Sequence, residues 1–164
     1  MTRTSLRLAL AAGALAVALA AGDAAAQTVN FTVSASVAKA CTITAGNVAL
    51  GAYEPIGAHD AAALNGTGTI SVRCTKGTAY GVALGDGANF SATRRMKHAT
   101  QGEFLGYGLF SDAARTVAWD TAAPVSGTAP SKAPIPLTVY VSVPGGQDVP
   151  EGAYADTVAA TVNF

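Results

Sequence analysis

At 164 residues the chain is long enough for one compact domain and short for two. Half of it is hydrophobic, only 12% is charged, and ten Lys+Arg balance ten Asp+Glu. That balance excludes a nucleic-acid or anionic-membrane role driven by net charge, and no basic cluster exceeds Arg94-Arg95-x-Lys97.

Residues 1–26 read as a secretory signal peptide. Arg3 and Arg7 give the positive start, Leu8 to Ala21 an apolar run broken only by Gly13, and Ala24-Ala25-Ala26 the small-residue cleavage pattern. The run is shorter than the roughly 20 apolar residues a membrane span needs. Removing 26 residues from 164 leaves a predicted mature chain of 138, exported and soluble, with no transmembrane segment. It keeps eight Lys+Arg and nine Asp+Glu, a formal charge of about −1. So weakly charged a surface invites association.

The mature chain opens on V-N-F-T-V-S-A-S-V. Val29, Phe31, Val33, Ala35 and Val37 alternate with Asn30, Thr32, Ser34 and Ser36, the period-2 signature of a strand that buries one face. Its place just after the cleavage site makes residues 27–38 a free N-terminal arm. Such an arm can complete its own sheet or another's. Residues 39–164 follow as the domain proper.

Cys41-Thr-Ile-Thr44 and Val48-Ala-Leu-Gly-Ala-Tyr53 read as short strands, then Pro55 to Leu64 as a loop in which only Ala58 to Leu64 offers a helical turn. Thr67 to Thr75 alternates again. Lys76-Gly77 turns the chain into Ala79 to Leu84, either as a hairpin or as a crossing to a second sheet. Gly85 to Asn89 is turn chemistry. Arg94–Lys97 and Phe104–Phe110 bracket a turn at Gln101-Gly102, with Leu105, Tyr107 and Leu109 on one face. Thr116–Trp119 is a short strand, and Ala122 to Pro134, with three prolines, reads as loop. Ile135–Val143 is a strand rich in Val and Tyr. Tyr154 to Phe164 closes the chain, with Val158, Ala160, Val162 and Phe164 facing one way. No mature segment of ten residues has helical periodicity. Seven or more short strands between Gly/Pro turns predict an all-β, antiparallel β-sandwich.

Two cysteines remain, Cys41 and Cys74. An even count in an exported chain points to one disulfide, and two thiols 33 positions apart with only two histidines make a poor metal set. Catalytic signals are missing too. There is no G-x-S-x-G, no H-E-x-x-H and no phosphate-cradling loop. His59 beside Asp60 and His98 after the basic run read as solvated loop residues, and Asp112-Ala-Ala-Arg115 as a turn fixed by an ion pair. The reading is of no enzyme, no metal and no cofactor.

Four blocks in order carry a resemblance. They are the alternating arm before Cys41-Thr-Ile; Ile70-x-Val72-x-Cys74-Thr-x-Gly77-x-x-Tyr80; Leu105-x-Tyr107-x-Leu109-Phe-x-Asp112-Ala-Ala-Arg115-Thr-x-x-Trp119; and Val149-Pro-x-Gly152-x-Tyr154-x-Asp156-Thr-Val158-x-x-Thr161-Val-x-Phe164. Together they resemble the spore coat protein U domain family, the fold unit of archaic (Csu-type) chaperone–usher pilus subunits. The resemblance covers essentially the whole mature chain, although 122–143 matches less clearly. It implies an incomplete immunoglobulin-like sandwich that lacks its final strand and is completed by donor-strand exchange, a strand-addition mode of recognition.

On that resemblance Val29, Phe31, Val33, Ala35 and Val37 are the donor plugs, and Val158, Ala160, Val162 and Phe164 line the acceptor groove or chaperone contact. Cys41–Cys74 pins the start of the domain to the strand near Thr67. The implied partners are neighbouring subunits, a periplasmic chaperone and an outer-membrane usher. The implied function is a structural subunit of an extracellular pilus that supports adhesion and biofilm formation. A spore-coat-type structural protein and a monomeric secreted β-sandwich binding module are the alternatives.

Overall fold

A computed structural model describes residues 25–164. The segment read as a signal peptide lies outside the described residues except for Ala25 and Ala26. The chain divides into two units after Ala35, and each is taken by itself. In the first, residues 25–35 form no strand, and Val29, Phe31 and Val33 are 83–87% exposed.

The second unit, 36–164, is all β, with nine strands and no helix among the described residues: β1 (Cys41–Ala45), β2 (Leu64–Cys74), β3 (Ala79–Leu84), β4 (Arg94–His98), β5 (Phe104–Phe110), β6 (Val125–Thr128), β7 (Ile135–Val143), β8 (Tyr154–Ala155) and β9 (Ala160–Asn163). They make a six-stranded sheet in the order β1-β2-β7-β5-β4-β8 and a three-stranded sheet in the order β6-β3-β9, with every pairing antiparallel. Among the described residues no helix is long and apolar enough to cross a membrane.

The core forms where the inward sets of the two sheets meet. Ile70, Val72 and Cys74 from β2, Val139 and Val141 from β7 and Leu109 from β5 face Tyr80, Val82 and Leu84 from β3. Alternation thus converts directly into burial. Lys76-Gly77 proves to be the crossing between sheets, since β2 and β3 belong to different ones; Gly77 takes φ +80° there, a conformation that favours glycine.

Cys41 and Cys74 are directly opposed in the β1–β2 register and form a disulfide. Closing a loop of this size contributes roughly 3–4 kcal/mol in the chain-entropy account.

Several local expectations fail for identifiable reasons. Residues 122–134 are not all loop, because Val125–Thr128 forms β6 on the outer edge of β3. A four-residue edge strand tolerates flanking prolines, which remove only donors it does not use. Thr116–Trp119 is not a strand but a single bridge, Phe110 to Ala118. Trp119 belongs to the core: it is fully buried, and its Nε1 donates to the Val82 carbonyl at 2.7 Å. Asp112 and Arg115 are not ion-paired. Asp112 instead accepts from the Thr116 and Val117 amides and the Thr116 hydroxyl, and these bonds hold its carboxyl below the usual range. Arg115, at φ +57°, donates to the carbonyls of Val141, Ala113 and Gly66.

The histidines are structural rather than solvated. His98 is 5% exposed because β4 turns Arg94 and His98 inward. Its Nδ1 accepts from the Thr100 and Gln101 amides, which leaves the proton on Nε2 to donate to the Glu151 carbonyl at 2.9 Å. His59 is half-buried, stacks on Tyr53 at 5.2 Å and accepts from the Glu54 amide.

Candidate strand-acceptor cleft

Val48–Tyr53 has a strand's sequence but forms no strand. Among the described residues no backbone hydrogen bond engages Asn47–Tyr53; the last bond before it runs from Gly46 N to Thr69 O. A strand exists only with a neighbour to ladder with, and this segment has none. Side chains hold it instead. Val48 and Leu50 reach over β2 at Gly68 and Gly66, where an added Cβ would collide with the Val48 and Leu50 methyl groups. Only glycine leaves that notch open.

Across from it, 154–160 is paired along one edge alone. Tyr154 and Ala155 pair with β4, the Thr157 and Ala159 carbonyls accept from Ala88 and Gly85, and β9 ladders onto β3. The facing edge has no partner strand. Between these two walls lie adjoining clefts of about 490 and 680 Å³, which share Val48, Leu50, Met96 and Tyr154. Ile70, Leu84, Leu109 and Val141 floor the first; Leu64, Leu105 and Val143 floor the second.

Asp156 places a carboxylate in the wall of the first cleft. Asp156 accepts from the Tyr107 hydroxyl at 2.8 Å and from the Asn89 amide and side chain at 3.1 and 2.9 Å. Burial, then the bond to Asp156, pushes the Tyr107 hydroxyl well above its ordinary pKa of 10.0, so it stays a donor. The Asp156 carboxylate thereby fixes the wall at the point where the chain leaves one sheet for the other.

Val158 and Ala160 line the cleft. Val162 packs on the core beyond its end, and Phe164 is 53% exposed and absent from the lining. Tyr154 and Asp156 stand on the same wall, earlier in the chain than the alternation of the last strand suggested. The 46–53 wall was not recognised from sequence as part of the site; the glycines at alternate positions in β2 were its only signal. Val37 is 84% exposed. His/Cys/Asp/Glu groups able to hold a metal are absent among the described residues.

The Gly68 notch is testable. Gly68→Val should drive Val48 out and loosen the wall, which would appear as faster amide exchange at Gly46 with β2 and β7 protection retained. Unchanged exchange at Gly46 would show that the notch does not hold the wall.

The model of the Spore Coat Protein U domain matches residues 27–161. The chain belongs to that family. A curated relative, "Protein U" of Myxococcus xanthus, is 36% identical to this Spore Coat Protein U domain chain over 173 aligned positions, 95% of each protein. Among solved structures, the chain is similar to a chain in the CsuC–CsuE chaperone–tip adhesion subunit pre-assembly complex of the archaic chaperone–usher Csu pili of Acinetobacter baumannii. The TM-score is 0.60 at 25% identity, with 78% of this chain covered. This Spore Coat Protein U domain chain spans only 40% of that one.

Proposed function

We propose that the chain is a structural subunit of an extracellular fibre, a pilus assembled by the chaperone–usher route. The arm Val29–Val37 of one copy would complete the sandwich of the next. The carrying observation is the cleft itself: a trough floored by apolar side chains, with an unpaired backbone edge on each wall. Its first wall, residues 46–53, is close in length to the nine-residue arm, which would span roughly 27 Å when extended. An arm with Val29, Phe31 and Val33 exposed offers the matching alternate side chains. An empty trough of this kind is costly in water, which favours a temporary occupant; a periplasmic chaperone before assembly and an outer-membrane usher at assembly fit that need. Export through the periplasm by the predicted signal at 1–26, a surface location, and roles in adhesion and biofilm formation belong to the same reading. The family description and the relative named Protein U favour a second reading, a coat subunit joined by the same exchange. Both make the chain a structural part rather than an enzyme.

Purified mature protein is expected to form oligomers that resist SDS and dissociate on heating, and deletion of Gln27–Val37 is expected to abolish them. Assembly of the deleted protein would reject strand exchange. A stable full-length monomer at high concentration would favour a self-completed binding module.

A further inference from the structure

The strand positions on the outer face of the six-stranded sheet carry charge of one sign, and the turn after β5 adds the Asp112 carboxylate beside them. Alternation turns Arg73 of β2 and Arg95 and Lys97 of β4 outward, while Arg94 turns inward and is buried against the carbonyls of Leu84, Gly85 and Trp119. No Asp or Glu occupies a strand position in this sheet. Arg115 joins the face from the turn after β5, with its guanidinium 5.8 Å from the Tyr140 ring centre and its hydrogen bonds made to carbonyls alone. Three of the chain's ten Lys+Arg, Arg73, Arg95 and Lys97, thus share one face of the sheet.

Aromatic rings interleave with these cations. Tyr140 and Phe110 are opposed across β7 and β5, and the Phe110 ring folds back over Gly108, where a Cβ would come within 2.7 Å. Phe104 carries the Arg95 guanidinium at 4.0 Å from its centre. Tyr140 on β7 and Phe110 and Phe104 on β5 thus form an aromatic band, with Arg115 against Tyr140 and Arg95 of β4 over Phe104. Beside it, β1, β2 and β7 expose Thr42, Thr44, Thr67, Thr69 and Thr138, hydroxyls that both donate and accept.

We propose that this face binds an acidic polysaccharide. Its carboxylates would pair with Arg95, Lys97 and Arg115, since arginine forks match carboxylate geometry. An apolar sugar face would lie on the Phe110 ring, between Phe104 and Tyr140 that Arg95 and Arg115 cover, and the hydroxyls would meet the threonine rows. The charge spacing favours this occupant over nucleic acid. Arg95 and Lys97 stand about 7 Å apart along β4 and Arg115 lies two strands away beside Tyr140, a sparse set of cations for a nucleic-acid strand, which carries a charge about every 3.4 Å. The face belongs to a single subunit, so the proposal stands or falls independently of strand exchange.

The test offers the full-length protein to immobilised alginate (a uronic-acid polymer), neutral dextran and single-stranded DNA. Wild type is expected to bind alginate at low salt, to be released at about 0.5 M salt, and to ignore dextran. Arg95→Gln with Lys97→Gln should weaken alginate binding about tenfold or more, with the circular dichroism spectrum unchanged. The single exposed-site variant Lys97→Glu serves as a second probe should the double variant fold poorly. Equal retention on dextran, unaltered alginate affinity in the variants, or no alginate binding by wild type overturns the proposal. Tighter binding to DNA than to alginate overturns it in favour of a nucleic-acid surface.

Discussion

Phe31→Asp is expected to leave the subunit folded but unassembled. Phe31 is 83% exposed and lies in the unit before the domain, so the domain's core does not depend on it. Seating it in a neighbour's cleft would contribute about 1.5–3 kcal/mol through apolar burial. Aspartate forfeits that and adds the cost of placing an unpaired charge among Leu, Val and Met side chains, several kcal/mol more. Together these amount to a loss of several hundredfold or more in assembly, since each 1.4 kcal/mol is a factor of ten. The readout is the SDS-resistant ladder, with Asn30→Asp on the alternate face as control. A ladder lost equally in both variants, or intact in both, would show that the arm is not read by alternation.

Trp119→Ala is expected to have the largest effect on the fold. Trp119 is fully buried, and its Nε1–H satisfies the Val82 carbonyl in β3. Its own amide donates to Leu109 and its carbonyl accepts from Arg94, so the residue ties β3, β4 and β5 together. Emptying such a site costs about 3–5 kcal/mol, and the orphaned Val82 carbonyl adds to it. Native domains hold only about 5–15 kcal/mol, and one with an unfilled cleft has the less to spare. Urea unfolding should show the midpoint collapse toward zero denaturant, with Trp119→Phe in between because it keeps volume and loses the bond. A midpoint shift worth less than about 1 kcal/mol would mean the site collapses around the smaller residue.

What sequence could and could not reveal follows the range of the interactions. Burial by alternation is local, so Ile70, Val72 and Cys74 on β2 and Leu105 and Leu109 on β5 were legible, and the all-β sandwich with them. The Cys41–Cys74 bond was legible because only two cysteines exist. Val48–Tyr53 misled because its composition suits a strand while its pairing depends on a neighbour that the chain does not supply. Val125–Thr128 misled in the opposite direction: its prolines suggested loop, yet an edge position tolerates them. His98 looked solvated because nothing local announces that the Glu151 carbonyl will reach it. The cationic face was hidden in a net charge of zero, and register alone sorts Arg94 inward from Arg95 and Lys97 outward. The cleft's 46–53 wall was illegible for the same reason, since it is held by two glycines and two hydrophobic residues some eighteen positions apart.

The disulfide has a mechanical consequence. Cys41 lies at the root of the arm, and just outside it the Ala40 amide donates to the Thr75 hydroxyl while the Ala40 carbonyl accepts from the Thr75 amide. In a fibre joined arm to cleft, tension would enter each subunit at this point. Without the covalent link it would peel β1 from β2 one hydrogen bond at a time. With it, the load passes straight to β2, which β1 and β7 grip from both sides, and is shared in shear across the longest ladder among the described residues.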